Sequence, residues 1–311
     1  MRNTLSMSVA VAVAGLLAAA CSESNTTALS DQAQVAAAVQ DQLGTMMTDS
    51  GFGDAGVVGT FALAGYAGAT FAGPALDTVA PPRFWGRLRV VPGGPKPVIN
   101  KDITIIGDSA WVSLTVHFDG IFLVDTSADS TFNPTSKPLV EYFTQKAVLV
   151  RDATAMHGWR PVLLSPHDWK PTATDRQTVA VTDVKVYRND TLLVDVTNPD
   201  SLYDYVRHVP VFHVGDSVKV VAAVTNTTGG SYFPPTFVYL HVRHVDPTAL
   251  VWRRIRMQDN GDGTYTRTWV ARTTGRDRFA VDALDAATIE LGSADNYRAN
   301  VVGIQIGRAH V

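Results

Sequence analysis

Apolar and polar residues recur along this chain with two periods. From Ser30 the period is that of a helix: Val35, Val39, Leu43 and Met46 fall on one face, and Gly51 and Gly53 follow. Ser30 can cap the first free amides and Asp31 suits the positive end of the helix dipole, so the spacing predicts a helix from Ser30 to about Thr48. Further on the period is two. Ala110, Val112, Leu114, Val116 and Phe118 alternate with Trp111, Ser113, Thr115 and His117, which predicts a half-buried strand. Asp119-Gly120 reads as a turn, Ile121 to Val124 as the returning strand, and residues 126 to 138 as a polar loop. Tyr142 to Arg151 and Trp159 to Ser165 read as further strands. His167 to Gln177 is polar, contains Pro171 and has no period, so it reads as a linker. From Val179 onward short alternating runs recur between turn residues: 218 to 224, 238 to 242 and 279 to 283.

These elements predict a mainly β protein with a minor α component. Residues 30–166 would form a helix plus a curved antiparallel sheet, 167–177 a linker, and 178–305 a β-sandwich. The turn-and-strand IIGDSAWVSLTV, the strand KAVLVRD and the ending HGWRPVLLSP give the first part a pattern that resembles the NTF2-like cone fold; a plain sandwich is the competing reading. In the second part, MQDNGDGTYTRTWVARTTGRDRFAVDA resembles the hairpin of a filamin-type Ig-like repeat. Asp259 to Gly263 supplies the turn, Tyr265 and Trp269 share a face, and Gly275 makes the next turn. The later Leu291-Gly292-Ser293 is similar to the stretch before that family's last strand, but Arg272-Thr273-Thr274 stands where the family usually has a proline.

The ends of the chain carry a different signal. Arg2 precedes an unbroken run of small apolar residues, Val9 to Ala20, too short to span a bilayer, and Cys21 follows. This resembles a bacterial lipoprotein signal, with Ala18 where the family usually has leucine. The resemblance implies removal of residues 1–20 and acylation of Cys21, which anchors the chain to a membrane through a tether at residues 21–29. An ordinary secretory signal is the alternative and would leave a free thiol. Ser22 and Glu23 stand where an aspartate would favour the inner membrane, which points to the outer one. At the other end, residues 306–311 (IGRAHV) read as the translation of a widely used sequencing adapter, so the natural chain is expected to differ beyond residue 305.

Composition removes several function classes. A net charge of −3 offers no basic field for nucleic acid. The one cysteine excludes an internal disulfide framework and a cysteine-based metal cluster. Ala55 to Leu76 is uncharged, but its apolar content is mostly alanine, so it reads as a buried segment rather than a span.

Candidate chemistry is sparse. Gly107-Asp108-Ser109 could suggest a serine hydrolase, yet Gly215-Asp216-Ser217 repeats it, and each copy precedes an alternating strand, as a tight turn would. The Asp259 loop lacks the ligand spacing of a calcium loop, and His241 with His244, or His208 with His213, would point to opposite faces of a strand. The best pocket candidates are Trp85, Trp111, His117, Tyr142 and Trp159, large side chains with polar tips, with His117 beside Asp119 or Glu141 as an acid–base pair. No metal or cofactor is expected. The sequence points to a lipid-anchored envelope protein with a binding, adhesion or structural role, whose partner is another envelope protein or a polysaccharide. An enzyme or small-ligand binder built on the five pocket candidates is the alternative, and an activity beyond residue 305 is a third.

Overall fold

The computed structural model describes residues 30–48, 84–89, 91, 93–127, 134–204, 211–230, 235–245, 250–271, 277–291 and 295–308; side chains are described within these except at 41–48, 84, 243–253, 277–278 and 305–308. Cys21, the Ala55–Leu76 segment and His208 lie outside the described residues. So do the side chains of Leu43, Met46 and His244. Among the described residues, no helix is long and apolar enough to cross a membrane.

The chain is mainly β. The predicted helix α1 spans Asp31–Thr48. Ser30 Oγ accepts from the Ala33 amide at 3.3 Å, and Val35, Ala38 and Val39 are buried, as the periodicity requires. These residues pack on the inner face of an antiparallel sheet made of β2 (Val98–Ile106), β3 (Ser109–Asp125), β4 (Thr135–Arg151) and β5 (Trp159–Leu164).

Three expectations differ from the structure. Residues 135–138, expected as the end of a polar loop, already belong to β4 and pair with β3. Asp119-Gly120 is no turn. β3 runs straight through it for 17 residues, and β1 (Phe84–Leu88) pairs with its second half while β2 pairs with its first. Gly120 is needed for close approach: a Cβ there would run into the Leu88 carbonyl oxygen and press on Arg89 Cα. The segment expected as a linker supplies β6 (His167–Pro171), whose His167, Asp168 and Trp169 are buried. β6 pairs with β4 on one side and with β17 (Ala299–Arg308) on the other. It has too few apolar residues to show a period, because polar neighbours satisfy its buried groups: Asn300 Nδ2 donates to Asp168 Oδ1 at 2.7 Å and to the Trp169 carbonyl at 2.9 Å.

Through β6 the sheet continues into the C-terminal half: β17, then β16 (Asp277–Asp285), β12 (Thr236–Val245) and β13 (Leu250–Arg256). A second sheet holds β7 (Val179–Arg188), β8 (Thr191–Val196), β11 (Ser217–Asn226), β14 (Gln258–Asp259) and β15 (Thr264–Val270). The two sheets face each other across a core that includes Val186, Val220, Leu240, Phe279 and Val281, which makes the C-terminal half a β-sandwich. Tyr265 and Trp269 both turn toward that core, as their alternation predicts. The short strands β9 (Tyr203–Asp204) and β10 (Val211–Phe212) pair with β5 and β17. Both Gly-Asp-Ser sequences are turns before β3 and β11, with φ +58° at Gly107 and +95° at Gly215.

β16 is buried on both faces. Phe279, Val281 and Ala283 enter the sandwich core, while Ala280, Asp282 and Leu284 face the other way. On that side the large sheet curls over β1 and the ends of β3 and β4. A third core forms there from Trp85, Phe122, Leu139, Tyr239, Leu284 and Tyr297, among others.

Candidate functional site

The inner face of the curled sheet carries charge. On β1, Trp85 and Arg87 point inward at period two, and Arg89 follows at the same spacing. On β4, Lys137 and Glu141 share the parity of Leu139 and Phe143 and are buried with them. Asp282 comes from β16, His241 from β12, and Tyr297 from the segment before β17. The Arg87 guanidinium makes two parallel bonds to Asp282, 2.6 and 2.8 Å, while its Nε donates to the Tyr297 hydroxyl at 2.7 Å. That hydroxyl donates to Glu141 Oε2 at 3.0 Å, and Arg89 Nε pairs with the other Glu141 oxygen. His241 Nε2 lies 3.0 Å from Asp282 Oδ2. The Arg89 guanidinium stacks 4.1 Å above the Trp169 ring.

Two cations and two anions thus compensate one another in the interior. Burial pushes the Asp282 carboxyl up, but Arg87 and His241 outweigh it and hold the group well below the usual carboxylate range. Burial raises the Tyr297 hydroxyl well above its ordinary value. Lys137 donates to the Thr288 carbonyl at 2.5 Å and to Asn296 Oδ1 at 2.7 Å; burial lowers its pKa to about 8, against the pull of Asp295. Each of these groups is engaged by another side chain or carbonyl. The arrangement ties β1 and β4 to β12, β16 and Tyr297, which is a structural task.

The five pocket candidates do not meet. Trp85 is buried in the third core, stacked 5.7 Å from Phe122, with the Arg254 guanidinium 3.7 Å above it. Trp159 is buried under α1, with Arg151 over its ring at 4.7 Å. Trp111, His117 and Tyr142 lie on the opposite, solvent-facing side of the sheet. His117 therefore cannot meet Glu141, which points inward; Asp119 shares its face two residues on.

That outer face is regular. In register, Thr104, Trp111 and Val148 form one row, and Asp102, Ser113 and Lys146 the next. Asn100, Thr115 and Thr144 follow, then Val98, His117 and Tyr142. The Trp111 side chain is 49% exposed, an unusual fraction for so large an indole inside a regular strand. The His117 and Tyr142 rings lie 5.7 Å apart in a tilted pair. Beyond them Val140 and Pro138 continue the face into a cleft of about 350 Å³, walled by Pro171, Tyr297 and the Arg176–Asp295 ion pair. Sequence reasoning missed Arg87, Arg89 and Glu141 as interior groups. Their shared parity with Trp85 and Phe143 was the available signal.

No family model matches the chain, and no curated protein matches it. Among solved structures, a polysaccharide lyase is similar over 67% of this chain and 35% of its own, at 10% identity and a TM-score of 0.20. The chain thus spans about a third of that lyase's length, and the TM-score lies below what a shared fold gives.

Proposed function

We propose that this chain is a lipid-anchored protein of the cell envelope, non-catalytic, and that it binds through the outer face of β2, β3 and β4. The observation that carries the reading is the division of the sheet. Its inward charged groups are engaged inside the fold, Arg87 and Arg89 by carboxylates and Lys137 by a carbonyl and an amide oxygen, while its outward side offers Trp111, His117 and Tyr142 to solvent. The apolar run before Cys21 supports acylation there, and Ser22 and Glu23 after it, in place of an aspartate, support a position at the outer membrane. The hairpin at Asp259–Tyr265 supports a filamin-type module that serves as spacer, and α1 on a curled sheet supports an NTF2-like first part. The test is co-sedimentation of the full chain with envelope fragments (cell wall plus outer membrane). The wild type should sediment with them and Trp111→Ala/Tyr142→Ala should not. Equal behaviour of the two proteins contradicts the reading. Fractionation of Cys21→Ser, expected in the soluble fraction, checks the anchor.

A further inference from the structure

We propose that the outer face takes a neutral polysaccharide chain laid along β3. This inference rests on the reading of that face as the binding surface, and it names the occupant.

The first argument is the order of groups. Trp111 and His117 are six residues apart on one extended strand, a span of about 20 Å. Between them the face carries the half-buried hydroxyls of Ser113, Thr115 and Thr144, with Asn100 and Asp102 exposed alongside on β2. A pyranose ring has an apolar C–H face and a rim of hydroxyls. It needs a flat aromatic surface under the first and short polar side chains beside the second. The exposed indole at one end and the His117–Tyr142 pair at the other are two such platforms, with hydrogen-bonding groups between them. Their separation suits a polymer of several sugar units and exceeds what a single monosaccharide could bridge. The cleft beyond Val140 extends the strip.

The second argument is charge. Among the described residues, three cations beside the strip have a carboxylate: Lys146 with Asp200 at 3.2 Å, Lys170 with Asp168 at 2.5 Å, and Arg176 with Asp295 at 2.6 Å; Lys96, at the β2 end, stands exposed. Asp102 and Asp119 stand exposed on the same face. A surface with those three cations neutralised, and with two exposed carboxylates against one exposed lysine, disfavours an anionic polymer, so nucleic acid, sulfated glycans and anionic lipid headgroups fit it poorly. An uncharged glycan fits.

Affinity electrophoresis of the full chain in detergent, through gels containing a soluble β-1,4-glucan, a β-1,3-glucan, a β-mannan or dextran sulfate, tests the proposal. At least one neutral polymer should retard the wild type, and added salt should leave the retardation unchanged. Trp111→Ala should weaken it about tenfold, Trp111→Phe much less, and His117→Ala/Tyr142→Ala about as much as Trp111→Ala. Melting temperatures confirm that each variant is folded. Retardation by dextran sulfate alone, or equal retardation of wild type and Trp111→Ala, overturns the proposal. Absence of retardation by every polymer also overturns it. If envelope co-sedimentation still depends on Trp111 and Tyr142 in that case, only the glycan occupant falls; if it does not, the reading of the face falls too.

Discussion

Strand β4 has two sides with opposite chemistry. Inward it presents Lys137, Leu139, Glu141, Phe143 and Gln145, all buried; outward it presents Pro138, Val140, Tyr142, Thr144 and Lys146, all in contact with solvent. The usual arrangement of a one-sided sheet is apolar inside and polar outside. Here β4 carries Lys137 and Glu141 among its buried apolar groups and turns the Tyr142 ring outward. The interior charges are held by partners brought from elsewhere in the fold: Arg89 and Tyr297 for Glu141, and the Thr288 carbonyl and Asn296 for Lys137. The exterior rings, apart from the tilted His117–Tyr142 contact, stay open to solvent, Trp111 most of all, so they are available to an external partner. Several measurements can break or sharpen that comparison.

The largest effect is expected inside. Arg87→Met leaves Asp282 buried with only His241 beside it, and the loss should be about 3–5 kcal/mol in urea denaturation. Arg87→Met/Asp282→Leu should recover much of it, because the cost lies in the unpaired charge rather than in the absence of the pair. Next comes Gly120→Ala. The added methyl meets backbone of β1, which cannot swing aside, and about 2–3 kcal/mol should be lost.

A smaller interior effect depends on pH. Lys137 has a folded pKa of about 8, below its unfolded value. Between pH 8 and about 10 the unfolded chain therefore binds more protons at this site, and stability should rise with pH. The penalty of the buried ammonium is present in full below pH 8 and is relieved as pH climbs. The slope is at most about 1.4 kcal/mol per pH unit, and Lys137→Met should flatten it. Above pH 10 the buried Tyr297 acts in the opposite sense, because only the unfolded tyrosine ionises readily. The smallest effect on stability is expected outside: Trp111→Ala should change it by no more than about 0.5 kcal/mol, by the same denaturation assay.

Much of the frame was legible in the sequence. Period-two alternation separates Ala110, Val112, Leu114, Val116 and Phe118 on the inner side of β3 from Trp111 and His117 on the outer, and the helix under the sheet follows from Val35 and Val39. Periodicity sorts residues onto faces but does not say what waits on each. Arg87 meets Asp282 across 195 residues of chain, and no local pattern carries that information. Gly120 misled for a related reason: a glycine that opens a turn and one that admits a crossing strand look alike in sequence. β6 was hidden because its buried polar groups are satisfied by Asn300, which lies in a strand over a hundred residues away. The outer strip was half legible. Its three aromatic residues were picked out, but they were expected to gather with Trp85 and Trp159, which face the other way.

Glu141 and Tyr142 are neighbours in the chain and point to opposite sides of β4, so one pair of substitutions tests the account most directly. Glu141→Gln and Tyr142→Ala should be compared for melting temperature and for co-sedimentation with envelope fragments. Glu141→Gln removes the countercharge of Arg89 and should cost about 3 kcal/mol while the remaining folded protein sediments normally. Tyr142→Ala should keep its melting temperature and lose sedimentation. A Tyr142→Ala protein that melts early and sediments like the wild type, or a Glu141→Gln protein that stays stable and fails to sediment, would contradict the division of the sheet into a structural side and a binding side.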